Sequence, residues 1–152
     1  MAASDASTPQ ITLEFPIEEK DFFMAGESAS RVKKILQQLG LGQDIIRRVA
    51  IIIYEAAMNV AIHGSHGQLE VHVDPVAIYV KTADEGAGIP DIELAMSEGF
   101  STASDEIREM GFGAGMGLPN IKKNSDDLSV ESKINEGTIL RATVYLNSVT
   151  GP

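Results

Sequence analysis

From Gln43 to His63 the chain carries apolar residues on almost every face of a predicted helix: Ile45, Ile46, Val49, Ile51, Ile52, Ile53, Ala56, Ala57, Val60, Ala61 and Ile62. A helix that is apolar nearly all round packs in the middle of a domain, with other elements on several sides. Glu55 and Asn59 interrupt it four residues apart, so they share one face, and His63 extends the same stripe. In such surroundings a carboxylate without partners is strongly unfavourable. Two readings follow. Either Glu55 reaches solvent at the rim and Asn59 bonds to backbone, or the stripe borders a cleft. In the second reading Asn59 supplies an oxygen to a hard cation such as Mg2+, which keeps several waters and takes further oxygens from phosphates. Glu55 then orients or deprotonates a nucleophile beside it.

The chain has 152 residues, the size of one domain with a substantial core. We expect that domain over residues 10–146, between a disordered tail at 1–9 and a loose end at 147–152. Its net charge of −10 argues against a general nucleic-acid binder, which would show a basic face. Backbone amides and a bound cation still leave room for a local phosphate site. The absence of cysteine removes disulfides and thiolate metal sites, and it fits a reducing cytoplasm. No stretch approaches the ~20 apolar residues needed to cross a bilayer. Residues Met1–Gln10 lack the apolar core of a signal peptide. The expected location is therefore cytoplasmic, with neither membrane nor nucleic acid as a direct partner.

Ile11, Leu13 and Phe15 alternate with polar residues ahead of Pro16 and predict a half-buried strand. Val32, Ile35, Leu36 and Leu39 have helical spacing within Glu27–Leu39, which Gly40 and Gly42 terminate. After the long helix, Gln68–Val73 and Val76–Thr82 alternate around Asp74-Pro75 and predict an antiparallel hairpin. A short helix is expected at Asp91–Met96 and another at Leu118–Asn124. Asp127–Lys133 and Thr138–Leu146 then form a strand pair around the turn Asn135-Glu136-Gly137. Consecutive hairpins with helices elsewhere predict an α+β fold: a two-layer sandwich with a mixed or mainly antiparallel sheet and its helices on one face. The strand–helix alternation of a dinucleotide fold is absent.

Glycine occupies positions 111, 113, 115 and 117, just before the Leu118 helix. Such alternation suits a flexible linker or tight turns. It equally suits a backbone wrapped around a phosphate, with the positive end of the next helix aimed at the same spot. Asp84-Glu85-Gly86-Ala87-Gly88 follows the second hairpin strand, either as an ordinary turn or as an acceptor presented to an amine such as that of adenine. Thr138 opens the last strand, where a hydroxyl can join a water network around a base. Lys122, Lys123 and Arg108 read as solvated faces, and His66 and His72 have no metal-ligand spacing. No Gly-Lys-Ser/Thr follows the glycines, so a Walker A loop is excluded. Eukaryotic protein-kinase signatures and a Gly-x-Ser-x-Gly elbow are missing as well.

The order Glu55-x-x-x-Asn59, Asp84-x-Gly86-x-Gly88, Gly113-x-Gly115-Met116-Gly117-Leu118 and Gly137-Thr138 resembles the GHKL ATPase superfamily over roughly residues 10 to 146. Within it, Glu55-Ala-Ala-Met-Asn59-Val-Ala-Ile-His63-Gly64 looks like the anti-sigma-factor serine kinases of bacterial partner-switching systems. Gly88-Ile-Pro-Asp-Ile-Glu-Leu-Ala-Met and Gly99-Phe-Ser-Thr-Ala103 are also similar to the switch kinases of stressosome pathways. The resemblance implies a Bergerat-type ATP-binding fold. Asn59 would bind Mg2+, Asp84 with Gly86 and Gly88 would take the adenine, and the segment from Gly113 through Gly115, Met116, Gly117 and Leu118 would take the phosphates of ATP. Glu55 would be the base that activates a serine hydroxyl on a small antagonist protein with a STAS domain, and Ser97–Met110 would be the ATP lid.

A sigma factor as a further partner and a homodimer are implied by the same resemblance. Two departures stand out: the lid insert Ser104–Met110, and the lack of the Arg or Lys that sensor histidine kinases carry near their Asn. The second departure, with no phosphoacceptor-histidine domain, argues against a sensor kinase. Three function classes are thus open: an anti-sigma regulator that is a protein-serine kinase, a nucleotide-controlled docking module with little phosphoryl transfer, and a nucleotide-free interaction domain.

Overall fold

The structure, a computed structural model, describes residues 10–63, 66–96 and 117–146. Alternation drives the first strand, β1 (Ile11–Glu18), whose Phe15 and Ile17 are buried while Glu14 and Pro16 face out. Helix α1 (Phe22–Gln38) begins earlier than apolar spacing suggests, because Asp21 caps it: its Oδ1 accepts the Met24 N–H at 3.2 Å. Helix α2 (Gln43–His63) matches the expected bounds and buries Ile46, Val49, Ile52, Ile53, Ala56, Ala57, Val60 and Ala61.

Two antiparallel strands follow, β2 (His66–Val73) and β3 (Ala77–Asp84), each longer than its apolar run. The pairing extends past Thr82 because Gly67 lies opposite Asp84 and Gln68 opposite Ala83. Asp84 is thereby the last residue of a central strand. A short helix α3 (Ile92–Ala95) is capped by Asp91, and helix α4 (Gly117–Asn124) leads into β4 (Asp127–Lys133) and β5 (Gly137–Tyr145).

Among the described residues five strands form one sheet in the order β1-β2-β3-β5-β4, and all four pairings are antiparallel. The mixed alternative is thus resolved in favour of an antiparallel sheet. One face, carrying Phe15, Leu69, Val71, Ile78, Val80, Leu140 and Val144, is buried. The opposite face presents Tyr79, Arg141 and Tyr145 to solvent. Helix α2 lies across the buried face and touches β1, β2, β3 and β5, with α1 and α4 packed on it. The fold is an α+β two-layer sandwich, as the hairpin order predicts.

Among the described residues, no helix is long and apolar enough to cross a membrane.

Candidate functional site

The polar stripe of α2 faces α4. Arg48, Glu55 and Asn59 run along α2 while their counterparts Asn124, Asn120 and Gly117 run the other way along α4, so the two helices pack antiparallel. Glu55 is half-buried, and its Oε2 accepts the Asn120 Nδ2–H at 3.1 Å. Asn59 is also half-buried. The first residue of α4 lies directly on it: a Cβ added at Gly117 would stand 3.0 Å from Asn59 Oδ1. Any side chain there would press on the amide oxygen, so a glycine lets the start of α4 approach it. Leu118 turns its side chain into the core, 6% exposed, and offers a ligand only its backbone. Pro119 falls in the first turn, where its missing N–H would be unpaired in any case.

Asp84 sits at the other wall. Its Oδ1 accepts the Gly86 N–H at 2.9 Å, and the Thr138 N–H also donates to it. Burial raises the Asp84 pKa above the usual carboxylate value; the two N–H groups and the nearby His63 oppose that rise. His63 is shifted the other way: burial lowers its pKa, against the pull of Asp84. The helix stripe and the end of β3 are therefore electrostatically in contact.

Thr138 lies opposite Asp84 across the β3–β5 pairing and opposite Ser132 across the β4–β5 pairing. Its Oγ1 is 2.8 Å from Ser132 Oγ, which also accepts the Ile89 N–H at 2.7 Å. Asn135 donates its N–H to the Ala87 carbonyl at 2.7 Å, so the Asp84–Gly88 loop is clasped by the β4–β5 turn. Gly137 has φ +127, and a Cβ there would run into the Asp84 carbonyl, which leaves glycine as the residue that fits. A cleft of about 380 Å3 opens beside the loop, lined in part by Glu19, His63, Glu85, Gly86 and Asn135. Neither Glu55 nor Asn59 lines it, so it adjoins the helix stripe without containing it.

Glu55, Asn59 and Gly117 are thus gathered at one seam, and Asp84, Gly86, Gly88 and Thr138 at one loop. Gly113, Gly115, Met116, Arg108 and the lid expected at Ser97–Met110 lie outside the described residues. Lys122 and Lys123 are exposed in the last turn of α4, where cations complement the helix end. Reading the sequence missed Asn120 and Ser132. Ser132 had a signal: a turn centred on Asn135 pairs Lys133 with Gly137 and hence Ser132 with Thr138. Asn120 had only its helical offset of three from Gly117.

Residues 29–148 match the family of histidine kinase-, DNA gyrase B- and HSP90-like ATPases. The chain belongs to this family. Within it, the chain is 32% identical over 120 residues to the serine/threonine-protein kinase RsbT of Bacillus subtilis, covering 75% of this chain and 83% of that one. It is also 32% identical over 128 residues to the anti-sigma F factor of Geobacillus kaustophilus, covering 79% and 82%. This ATPase-fold protein is therefore a member of the branch that holds serine/threonine-protein kinases and anti-sigma factors. Among solved structures, a chain of the SiaB–SiaC complex from Pseudomonas aeruginosa superposes with a TM-score of 0.60 at 14% identity, covering 87% of this chain and 88% of that one. At that identity the likeness speaks for the fold.

Proposed function

We propose that this ATPase-family protein is a cytoplasmic protein-serine kinase and anti-sigma regulator. It transfers the γ-phosphoryl group of ATP to a serine on a STAS-domain antagonist in a partner-switching pathway. Residues 10–146 form its single domain, and it acts as a homodimer that also engages a sigma factor. The observation that carries the reading is a half-buried carboxylate, Glu55, held by a neutral donor one helical turn from Asn59, which itself lies against the start of α4. A pure docking module has no use for a carboxylate in that place.

The donor set fits Mg-ATP. Among the described residues no three His, Asp or Glu side chains gather to hold a metal. One amide oxygen, that of Asn59, suits a cation that completes its shell with water and phosphate oxygens. Asp84 offers its carboxylate to the exocyclic amine of adenine, with Gly86 and Gly88 shaping the loop and the Thr138–Ser132 hydroxyl pair beside it. The backbone from Gly113 through Gly115, Met116, Gly117 and Leu118 receives the phosphates. Bound Mg-ATP supplies the phosphoryl group and the cation that neutralises developing charge. Glu55 then takes the proton of the acceptor hydroxyl as the serine oxygen bonds to the γ-phosphorus and the bond to ADP breaks.

The test is transfer of label from γ-labelled ATP to a STAS acceptor with Mg2+ present. Glu55→Ala should lose transfer by at least about a hundredfold, the usual contribution of a general base, while nucleotide affinity persists. Label reaching the acceptor at the wild-type rate in Glu55→Ala would remove Glu55 from the chemistry. Tight nucleotide binding without transfer to any STAS acceptor would make the protein a docking module instead.

A further inference from the structure

Among the described residues, the Glu55 carboxylate has one side-chain hydrogen-bond partner, Asn120, and no cation is paired with it. An Asn amide neither titrates nor attracts by net charge; what it provides is direction. Its N–H fixes Oε2, and the plane of the carboxylate then sets where Oε1 points. Asn120 lies three residues after Gly117, on the same side of α4, so one rigid helical turn carries both the contact to Asn59 and the contact to Glu55.

The α2–α4 seam does not depend on this bond to hold together. Leu118 and Ile121 are buried beneath it, and Arg48 donates to the Asn124 carbonyl at the far end. Asn is also a poorer helix former than Ala, so on stability grounds alone this half-buried position favours another residue.

We propose that Asn120 is a positioning residue for phosphoryl transfer. It holds the Glu55 side chain so that its second oxygen faces the acceptor hydroxyl, and it ties that orientation to the seating of the turn that follows the glycine run. The role rests on Glu55 being the base. In the step it serves, the serine oxygen forms its bond to the γ-phosphorus and the bond to the bridging oxygen of ADP breaks. The hydroxyl proton passes to Glu55.

The experiment compares the full chain with Asn120→Ala and Asn120→Asp in the transfer assay. Asn120→Ala should lower kcat about tenfold, within the range of effects of misplacing a catalytic group, with KM for ATP and for the acceptor unchanged within about twofold. Asn120→Asp sets a second carboxylate beside the first and should lose more. In a Glu55→Ala background, Asn120→Ala should cause no further loss, because the two act as one unit.

An unchanged kcat in Asn120→Ala overturns the proposal. So does a loss that adds to that of Glu55→Ala, or one accompanied by weaker nucleotide binding, since each is the mark of a packing role. The Asn120 side-chain amide signal in an NMR spectrum should shift in Glu55→Ala whether or not phosphate is transferred. A wild-type chain that transfers no phosphate overturns the kinase reading and the positioning role with it. An amide signal that does not move overturns the pair alone.

Discussion

The Asp84 carboxylate is half-buried and accepts two backbone N–H bonds, yet burial still lifts its pKa above that of a free side chain. The folded chain therefore holds this proton more tightly than the unfolded one. The stability it contributes is complete below the unfolded value and is lost as the pH rises through the folded value. Above the folded value the ionised group works against the fold, a pattern found where a residue is kept for binding. Asp84→Asn removes the charge and keeps an oxygen for the Gly86 N–H. Near about pH 7.5 its Tm should equal or exceed that of the wild type, by the same linkage. Mg-ATP affinity should fall by at least about tenfold, or about 1.4 kcal/mol, in a calorimetric titration. A lower Tm with intact affinity would make Asp84 a structural residue. Asp84 and Thr138 were legible as motif members. Their meeting across the β3–β5 register was not, because neither carries any mark of which strand it will pair with.

Helix α4 is set on α2 at both ends, by the Gly117–Asn59 approach and by Arg48. The Arg48 Nε–H donates to the Asn124 carbonyl at 2.9 Å, and Nη2 donates to Asp126 Oδ1 at 3.1 Å. Asp126 Oδ2 in turn accepts the Tyr145 N–H at 2.8 Å, so one guanidinium joins α2 to the end of α4 and to the β4–β5 sheet edge. The Arg48 side chain is 19% exposed and that of Asp126 37%, so solvent screens part of the ion pair. Arg48→Ala should cost about 1–2 kcal/mol by urea unfolding, mostly the charge-assisted bond to an otherwise unpaired helix-end carbonyl. Arg48→Lys should recover little of it, since an ammonium lacks the planar fork that serves both acceptors. Full recovery by Lys would reduce the contact to simple charge.

The elements themselves differed in how legible they were. The bounds of α2 could be read because its residues are apolar on almost every face between two glycine breaks. The first turns of α1 could not, because Gly26, Ser28 and Ser30 blur the period and Phe23 faces solvent. Only the Asp21 cap marks its start. Most of the glycine run, whose meaning in the sequence depended on its order after Glu55/Asn59 and Asp84, lies outside the described residues.

Across the whole molecule, acidic residues outnumber basic ones 22 to 12, for a net charge of −10. Among the described residues no Lys or Arg is paired with Glu55 at the Glu55–Asn59 seam: Arg48 is engaged at the far end of α4, and Lys122 and Lys123 lie exposed in its last turn. In the site we propose, a nucleotide is bound by backbone amides, one Asn oxygen and one carboxylate acceptor, inside a field of its own sign. Mg-ATP itself carries net negative charge. Long-range electrostatics therefore oppose its approach, and salt should screen that repulsion within a Debye length of about 10 Å at 0.1 M. Raising NaCl from about 0.02 M to about 0.2 M should leave the calorimetric Kd for Mg-ATP unchanged or tighten it, and speed association. A protein that grips phosphates with Lys and Arg behaves in the opposite way, losing affinity as counterions compete. Affinity that drops several-fold over this range would move the phosphate contacts from the glycine backbone to the basic side chains, Lys122 and Lys123 first among them.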